Sequence, residues 1–234
     1  MRLRIIQGNN HILDDSRVNV IIDVIRAFTV AHYAFIRGAK GILLAGTVDE
    51  AFRLKERNPS FLLAGEVGGL PIPGFELDNS PSRLQRVDLR EKVLIQKTTN
   101  GVAATLNALN AEHVFVTGFS NARTTAEYIK RKFMNGDDAN MHVIASHPTG
   151  DDDLACAQYI AGILEGACQR DLSAERIMER IRNSEAAGKF YDNGMPEFLR
   201  DDMDFCIREV PSDFVMKVNG AQGVPMIEKI PVTA

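Results

Sequence analysis

The sequence predicts an α/β protein with a largely parallel or mixed sheet, helices on both faces and additional C-terminal helices. Two observations carry this. Short β-favouring runs alternate with helical patterns along most of the chain, the order that produces parallel strands joined by crossover helices. The runs are also apolar without strict alternation, as in Val20-Ile21-Ile22, which is how strands covered on both faces read. The 234 residues are 45% hydrophobic and 25% charged, an ordinary globular composition long enough for one large domain over residues 1–234.

In chain order, a strand is predicted over residues 18–25, with Asp23 and Arg26 at its end. Residues 28–37 read as a helix closed by Gly38 as a left-handed cap. A strand over 41–45 follows. Thr47 and Glu50 then have capping-box spacing before a helix over 51–57 that stops near Pro59. The strand at 61–64 ends in Gly65-Glu66-Val67-Gly68-Gly69, and residues 70–79, holding Pro71, Pro73 and Gly74, read as a long ordered loop. Ser80-Pro81 has the form of a helix start, Ser as N-cap and Pro at the first helical position. Val93-Leu94-Ile95-Gln96 is a strand running into Lys97-Thr98-Thr99-Asn100-Gly101 and a helix over 102–106. Thr99 or Asn100 can cap that helix. Further strands are expected at 113–117 and 141–145, with helices over 122–134 and 154–168. From Asp171 the signal changes to helices near 174–183 and 196–207, then strands at 214–218 and 225–230 that supply an edge.

The formal charge of −4, without a dense Lys/Arg stripe, argues against nucleic acid as a partner. Lys130-Arg131-Lys132 reads as the solvated end of a helix. No stretch reaches the roughly 18 to 20 apolar residues of a membrane helix. The N-terminal apolar run is broken by Gln7, Asn9, Asn10 and His11, unlike a signal peptide. Cys156, Cys168 and Cys206 form no CxxC pair, which fits a reducing cytoplasm. A homodimer is compatible with such a protein.

In a parallel sheet the carboxyl ends of the strands share one rim, where ligands bind. The polar residues expected there are Asp23 and Arg26, Glu66, Lys97 to Gly101, Ser120 and Asn121, then His147 with Asp151, Asp152 and Asp153. Hydroxyls, a lysine and the free N–H groups of a helix start form a seat for an anion. Each feature has a plainer reading: a capped turn, acids that suit a helix dipole, a loop histidine. The convergence of all of them points to an anionic ligand held by Arg26, hydroxyls and helix N-termini. The acids make sense with a cation, for which Mg2+, preferring oxygen ligands, is the natural candidate. No Cys or His spacing suits zinc.

Several motifs together resemble the 2-phosphosulfolactate phosphatase family: Ile22-Asp23-Val24-Ile25-Arg26-Ala27, Gly65-Glu66-Val67-Gly68-Gly69, Gly74-Phe75-Glu76-Leu77-Asp78-Asn79-Ser80-Pro81 and Thr98-Thr99-Asn100-Gly101. Gly118-Phe119-Ser120-Asn121-Ala122, the Asp152-Asp153 helix start and Asp204-Phe205-Cys206 add to it. The resemblance implies a three-layer α/β/α fold and magnesium-dependent hydrolysis of the phosphate ester of a small sulfonated hydroxy acid, a reaction linked to coenzyme M biosynthesis. It also implies that Asp23, Glu66 and Asp152 or Asp153 form a metal-linked acidic group. Arg26, Asn79, Thr98, Thr99 and Asn100 would then bind the anion, with Lys97, Gly101, Ser120 and Asn121 beside them. Asp23 and Arg26 are the expected catalytic pair, Asp23 as ligand or base.

The chain departs from the family pattern in places. Val67 stands where the family usually has arginine, Lys97 where threonine is usual, and Ser146-His147-Pro148 replaces a Cys-Ala-Gly type turn. Two other expectations therefore stand beside the first: a phosphatase for another small phosphoester, and a non-catalytic phospho-acid-binding protein on the same fold.

Overall fold

A computed structural model describes residues 2–134, 140–166, 172–220 and 223–233. The chain opens with strand β1 (Arg2–Gln7), which the sequence does not announce because its residues are mostly exposed or half-buried. Strand β2 (Ser16–Ile22) leads into α1 (Ala27–Ile36), almost entirely buried; Gly38 closes it at φ 92. Strand β3 (Gly41–Leu44) is followed by α2 (Val48–Arg57), where Thr47 Oγ1 accepts from Glu50 N. Next come β4 (Leu62–Val67) and the short antiparallel β5 (Leu70–Pro71). Helix α3 (Pro81–Leu84) starts as expected, with Ser80 capping and Pro81 in its first turn. Strand β6 (Val93–Lys97) precedes α4 (Gly101–Asn107), and β7 (Ala111–Thr117) precedes a 3-10 turn (Phe119–Asn121) and α5 (Ala122–Phe133).

After β8 (Asn140–Ala145), α6 (Asp151–Glu165) ends at Gly166, whose φ of 71 is the left-handed stop. Cys168 and Asp171 lie outside the described residues. Helices α7 (Ala174–Arg182) and α8 (Glu185–Gly188), a 3-10 turn (Lys189–Tyr191) and α9 (Arg200–Cys206) follow. The chain then enters β9 (Phe214–Asn219) and β10 (Met226–Pro231).

Among the described residues these strands form one ten-stranded sheet, ordered β1-β8-β2-β7-β9-β10-β3-β6-β4-β5. Strands β1, β8, β2 and β7 are mutually parallel, as are β3, β6 and β4. The hairpin of β9 and β10 lies between the two groups, antiparallel to β7 on one side and to β3 on the other. The C-terminal strands are therefore central rather than an edge, which is why Val215, Met216 and Ile227 are fully buried.

The pairings also correct the expectation of a single rim. Followed through the ladder, the second group runs opposite to the first. Its carboxyl ends nonetheless meet those of the first group, since Gly101 N, beyond β6, donates to Asp23 Oδ2, beyond β2, at 2.9 Å.

Helices cover both faces, giving a three-layer α/β/α arrangement. Val18, Val20 and Ile22 pack with Phe119, Ile129, Ile160 and Ile181 on one side, whereas Ile21 packs with Phe28, Val102 and Leu94 on the other. This is the two-residue period of a strand. Helix α2 closes a smaller cluster, Ala51 and Leu54 against Leu63 and Ile95. No helix among the described residues is long and apolar enough to cross a membrane.

Candidate active site

Asp23 follows β2 and ties two helix starts together. Its Oδ1 accepts from Ala27 N at 2.9 Å and its Oδ2 from Gly101 N at 2.9 Å. Asp153, in the first turn of α6, accepts from Val24 N at 2.8 Å through Oδ1, and from Ser146 Oγ at 2.9 Å and His147 N at 3.0 Å through Oδ2. Its neighbour Asp152 is equally buried, and Asp152 Oδ1 has no hydrogen-bond partner. Burial pushes the Asp23 carboxyl up to about 8, reinforced by the charge of Asp153 and opposed by the N–H groups of Ala27 and Gly101. Burial and mutual repulsion raise Asp152 and Asp153 as well.

Three buried carboxyls that resist joint ionisation, one with an unpartnered oxygen, fit a hard divalent cation. No ready cage of three or more acidic, His or Cys groups is present among the described residues. Mg2+ does not demand one, because it binds through one or two carboxylates while keeping waters and substrate oxygens.

Glu66, at the end of β4, faces this group from the second parallel set. Its Oε1 accepts from Thr99 N at 2.5 Å, and its Oε2 from Thr99 Oγ1 at 2.9 Å and Gly69 N at 2.5 Å. Helix α4 is capped by Thr98, whose Oγ1 accepts from Val102 N at 3.1 Å, rather than by Thr99 or Asn100. The N–H groups of Thr99, Gly101 and Val102 thus serve Glu66, Asp23 and Thr98 respectively. Gly101 is where it is because a Cβ there would stand 2.6 Å from Asp23 Oδ2. Lys97 is turned to its own chain, Nζ donating to Thr98 O at 3.0 Å, and does not line the cleft.

The cleft itself has a volume of about 470 Å³ and is lined by Asp23, Arg26, Glu66, Asn79, Thr99 and Asn100, with His147, Lys189, Phe190 and Phe198 completing its walls. Arg26 is only 5% exposed. Its Nη1 donates to Asp202 Oδ2 at 2.8 Å and its Nη2 to Gly69 O at 3.1 Å. The guanidinium also lies 5.0 Å from the Phe190 ring centroid and 5.5 Å from that of Phe198. Asn79 is buried with Oδ1 unpartnered. Asn100 Oδ1 accepts from Asn9 Nδ2 at 2.8 Å, which leaves its amide N–H groups for a ligand.

Ser120 and Asn121 are not brought into this cleft. Ser120 Oγ lies 2.9 Å from His32 Nδ1 and borders a separate cavity of about 520 Å³ with Arg123 and Glu209. Asn121 Nδ2 donates to Phe214 O at 3.4 Å. The physical reason is β7's neighbour: the segment leading to β9 crosses over this turn, Val210 N donating to Ser120 O. Asp151 faces away as well, paired with Arg180 at 2.5 Å.

Sequence reasoning missed Asp202, Lys189, Phe190 and Phe198. They come from the C-terminal segment, where no strand-to-helix turn flags a site. Asp202 did leave a signal, because it falls on the same helical face as Leu199, Met203 and Cys206, an apolar stripe in which an acid needs a buried partner.

Comparison with known proteins gives the family. The family described as 2-phosphosulpholactate phosphatase matches residues 6–221. The chain is 53% identical over 230 residues to the probable 2-phosphosulfolactate phosphatase of Bacillus subtilis (strain 168), covering 98% of this chain and 99% of that protein. Proteins of the same name from Clostridium novyi (strain NT) and Clostridium beijerinckii are 27% and 25% identical, over 84% and 92% of this chain and 86% and 95% of their own lengths. The chain belongs to the 2-phosphosulpholactate phosphatase family of phosphoric monoester hydrolases.

Proposed function

We propose that this protein hydrolyses 2-phosphosulfolactate to sulfolactate and phosphate, with Mg2+ as cofactor. The observation that carries the reading is one cleft in which a buried, fixed guanidinium stands beside a group of mutually repelling carboxyls. One or two of the carboxyls Asp23, Glu66, Asp152 and Asp153 would hold the cation, with waters and substrate oxygens completing its shell. Once bound, Mg2+ supplies charge neutralisation at the phosphoryl oxygens and a lowered pKa for water.

Two of the five guanidinium N–H donors of Arg26 are used on Asp202 and Gly69. Those remaining orient the phosphoryl group and stabilise charge as it develops. Asp23 is the essential acid, as ligand or as base; a carboxyl raised toward neutrality is suited to accept a proton from an attacking water. The Phe190 and Phe198 rings exclude solvent from one side of the guanidinium. The two described thiols, Cys156 and Cys206, are both free and buried, in keeping with the cytoplasm as the site of action. The sulfolactate formed there would serve coenzyme M biosynthesis or a similar use of sulfonated acids.

A second reading has its own observation. Val67, in the position usually held by arginine, is 49% exposed and adds no charge to the cleft, so the same machinery could act on a different small phosphoester. The test is phosphate release from 2-phosphosulfolactate and a panel of small phosphoesters, with Mg2+ and with chelator. Magnesium-dependent release from the sulfonated ester, abolished in a folded Asp23→Asn variant, is expected. Release only from another ester would move the substrate; release from none would leave a phospho-acid-binding protein.

A further inference from the structure

We infer that Lys189 is the specificity-determining cation of the cleft, the partner of the substrate's sulfonate. This rests on the reading of the cleft as the site of a phosphorylated sulfonated acid and assigns its sulfonate. Such a substrate carries three anionic groups, a phosphoryl, a carboxylate and a sulfonate, and 2-phospholactate keeps the first two. The phosphoryl end belongs with Arg26 and the acidic group, for the reasons already given. Something must then face the sulfonate, and the residue usually present at position 67 is here an uncharged valine.

Besides the His147 imidazole, Arg26 and Lys189 are the two basic side chains among the described residues lining the cleft. They stand on the same aromatic wall. Arg26 lies 5.5 Å and Lys189 Nζ 5.7 Å from the Phe198 ring centroid. Their electrostatic situations differ. Arg26 is buried and paired with Asp202 at 2.8 Å. Lys189 is exposed, and no carboxylate among the described residues lies within ion-pair distance of it. It is the uncompensated positive charge of the cleft.

The lysine's place is also fixed by its surroundings. It opens the 3-10 turn Lys189–Tyr191, directly after α8, a helix capped by the buried Ser184. The next residue, Phe190, is buried and meets Phe198 edge-on, centroids 5.3 Å apart. Phe198 in turn lies close against Gly69, where a Cβ would be 3.0 Å from the ring. The turn bearing Lys189 is therefore packed, through Phe198, against Gly69. A sulfonate is a permanent anion with three equivalent oxygens, so the three rotatable donors of a flexible ammonium can meet it whatever its rotation about the C–S bond.

The experiment measures kinetics of wild type, Lys189→Gln and Lys189→Arg on 2-phosphosulfolactate and on 2-phospholactate, the same ester with hydrogen in place of the sulfonate. A charged hydrogen bond of about 1.5–3 kcal/mol corresponds to roughly a 10- to 100-fold rise in KM for the sulfonated ester in Lys189→Gln. The expected result is that rise with kcat held, a change below threefold on 2-phospholactate, and partial recovery in Lys189→Arg. Equal losses on both esters, or no loss on either, would overturn the assignment. Should wild type release phosphate from neither, the hydrolase reading fails by itself, and calorimetric binding of sulfolactate decides the present one. Weaker binding by Lys189→Gln supports the lysine, and unchanged binding removes it.

Discussion

Replacing Asp202 with Asn tests whether the catalytic arginine depends on a buried anchor. Asp202 is fully buried and accepts four hydrogen bonds, from Arg26 Nη1 at 2.8 Å, Ser80 Oγ at 2.7 Å, Ser82 N at 3.1 Å and Ser82 Oγ at 2.6 Å. The serine bonds all reach Oδ1, so an asparagine oxygen can keep them. Its amide nitrogen would then face the guanidinium, donor against donor, and Arg26 at 5% exposure has no water to replace the lost partner. Breaking a buried ion pair from one side destabilises by about 3–5 kcal/mol. For a chain of this size that is a fall in Tm of roughly 6–20 °C. Displacement of the guanidinium should lower kcat by about 100-fold or more, the scale of losing one charge-stabilising donor. Calorimetric melting and phosphate release check both arms. A double variant, Arg26→Met with Asp202→Asn, which keeps the three serine bonds at Oδ1 and removes the clash of donors, should regain part of the stability without regaining turnover. An Asp202→Asn protein that melts within a degree of wild type and keeps its kcat would refute the anchor.

Other outcomes follow from the same geometry. Added Mg2+ at ten to a hundred times its Kd should stabilise the protein by about 1.4–2.7 kcal/mol. The shift should be larger at pH 8 than at pH 5.5, because the raised carboxyls of Asp23, Asp152 and Asp153 hold protons at the lower pH. Asp152→Asn, which removes the charge behind the one buried carboxylate oxygen without a hydrogen-bond partner among the described residues, should show little of that shift in a thermal melt. Burial lowers His32 from 6.5 to about 4, so the unfolded chain takes the proton first. The neutral ring's contribution is present above pH 6.5 and lost as pH falls through 4, a loss of about 3 kcal/mol at about 1.4 kcal/mol per pKa unit. Urea titrations of wild type and His32→Gln from pH 7 to 4 should diverge across that window, and parallel curves would contradict it. Gly101→Ala, with a Cβ 2.6 Å from Asp23 Oδ2, should destabilise by about 1–3 kcal/mol and depress turnover more than tenfold.

Much of the fold was legible because local chemistry and tertiary placement agree. Ser80-Pro81 starts a helix, Thr47 caps one, Gly38 ends one, and the apolar runs at β2, β3 and β6 are strands. Strand β1 was missed because its exposed pattern hides its pairing with β8, a relation to residues far along the chain. The same limit governs sheet order. Nothing in Phe214–Asn219 or Met226–Pro231 says that this hairpin separates two parallel groups. Asp23, Glu66 and Arg26 were visible as charged residues ending apolar strands, where burial demands a partner. Which partner they find was not. Ser120 resembles Thr99 in its local setting, yet the segment near Val210 covers one and Glu66 claims the other.

That last difference explains how the site works as a unit. Anion seats are expected at helix starts because free N–H groups and the dipole attract negative charge. Here the protein's own carboxylates take those seats: Asp23 at α1 and α4, Asp153 at the N–H of Val24, Glu66 at Thr99. All but the local Asp23–Ala27 bond cross between segments, and two of them, Asp23 to Gly101 and Glu66 to Thr99, involve the turn between β6 and α4. The first joins it to the other parallel group across the β9–β10 hairpin. The acids that would serve the chemistry are thus also the ties that hold the two halves of the sheet together at their carboxyl ends. A substitution at Asp23 should therefore register in both turnover and folding cooperativity. One at Lys189, exposed on the aromatic wall and without an ion pair among the described residues, should register in substrate choice alone.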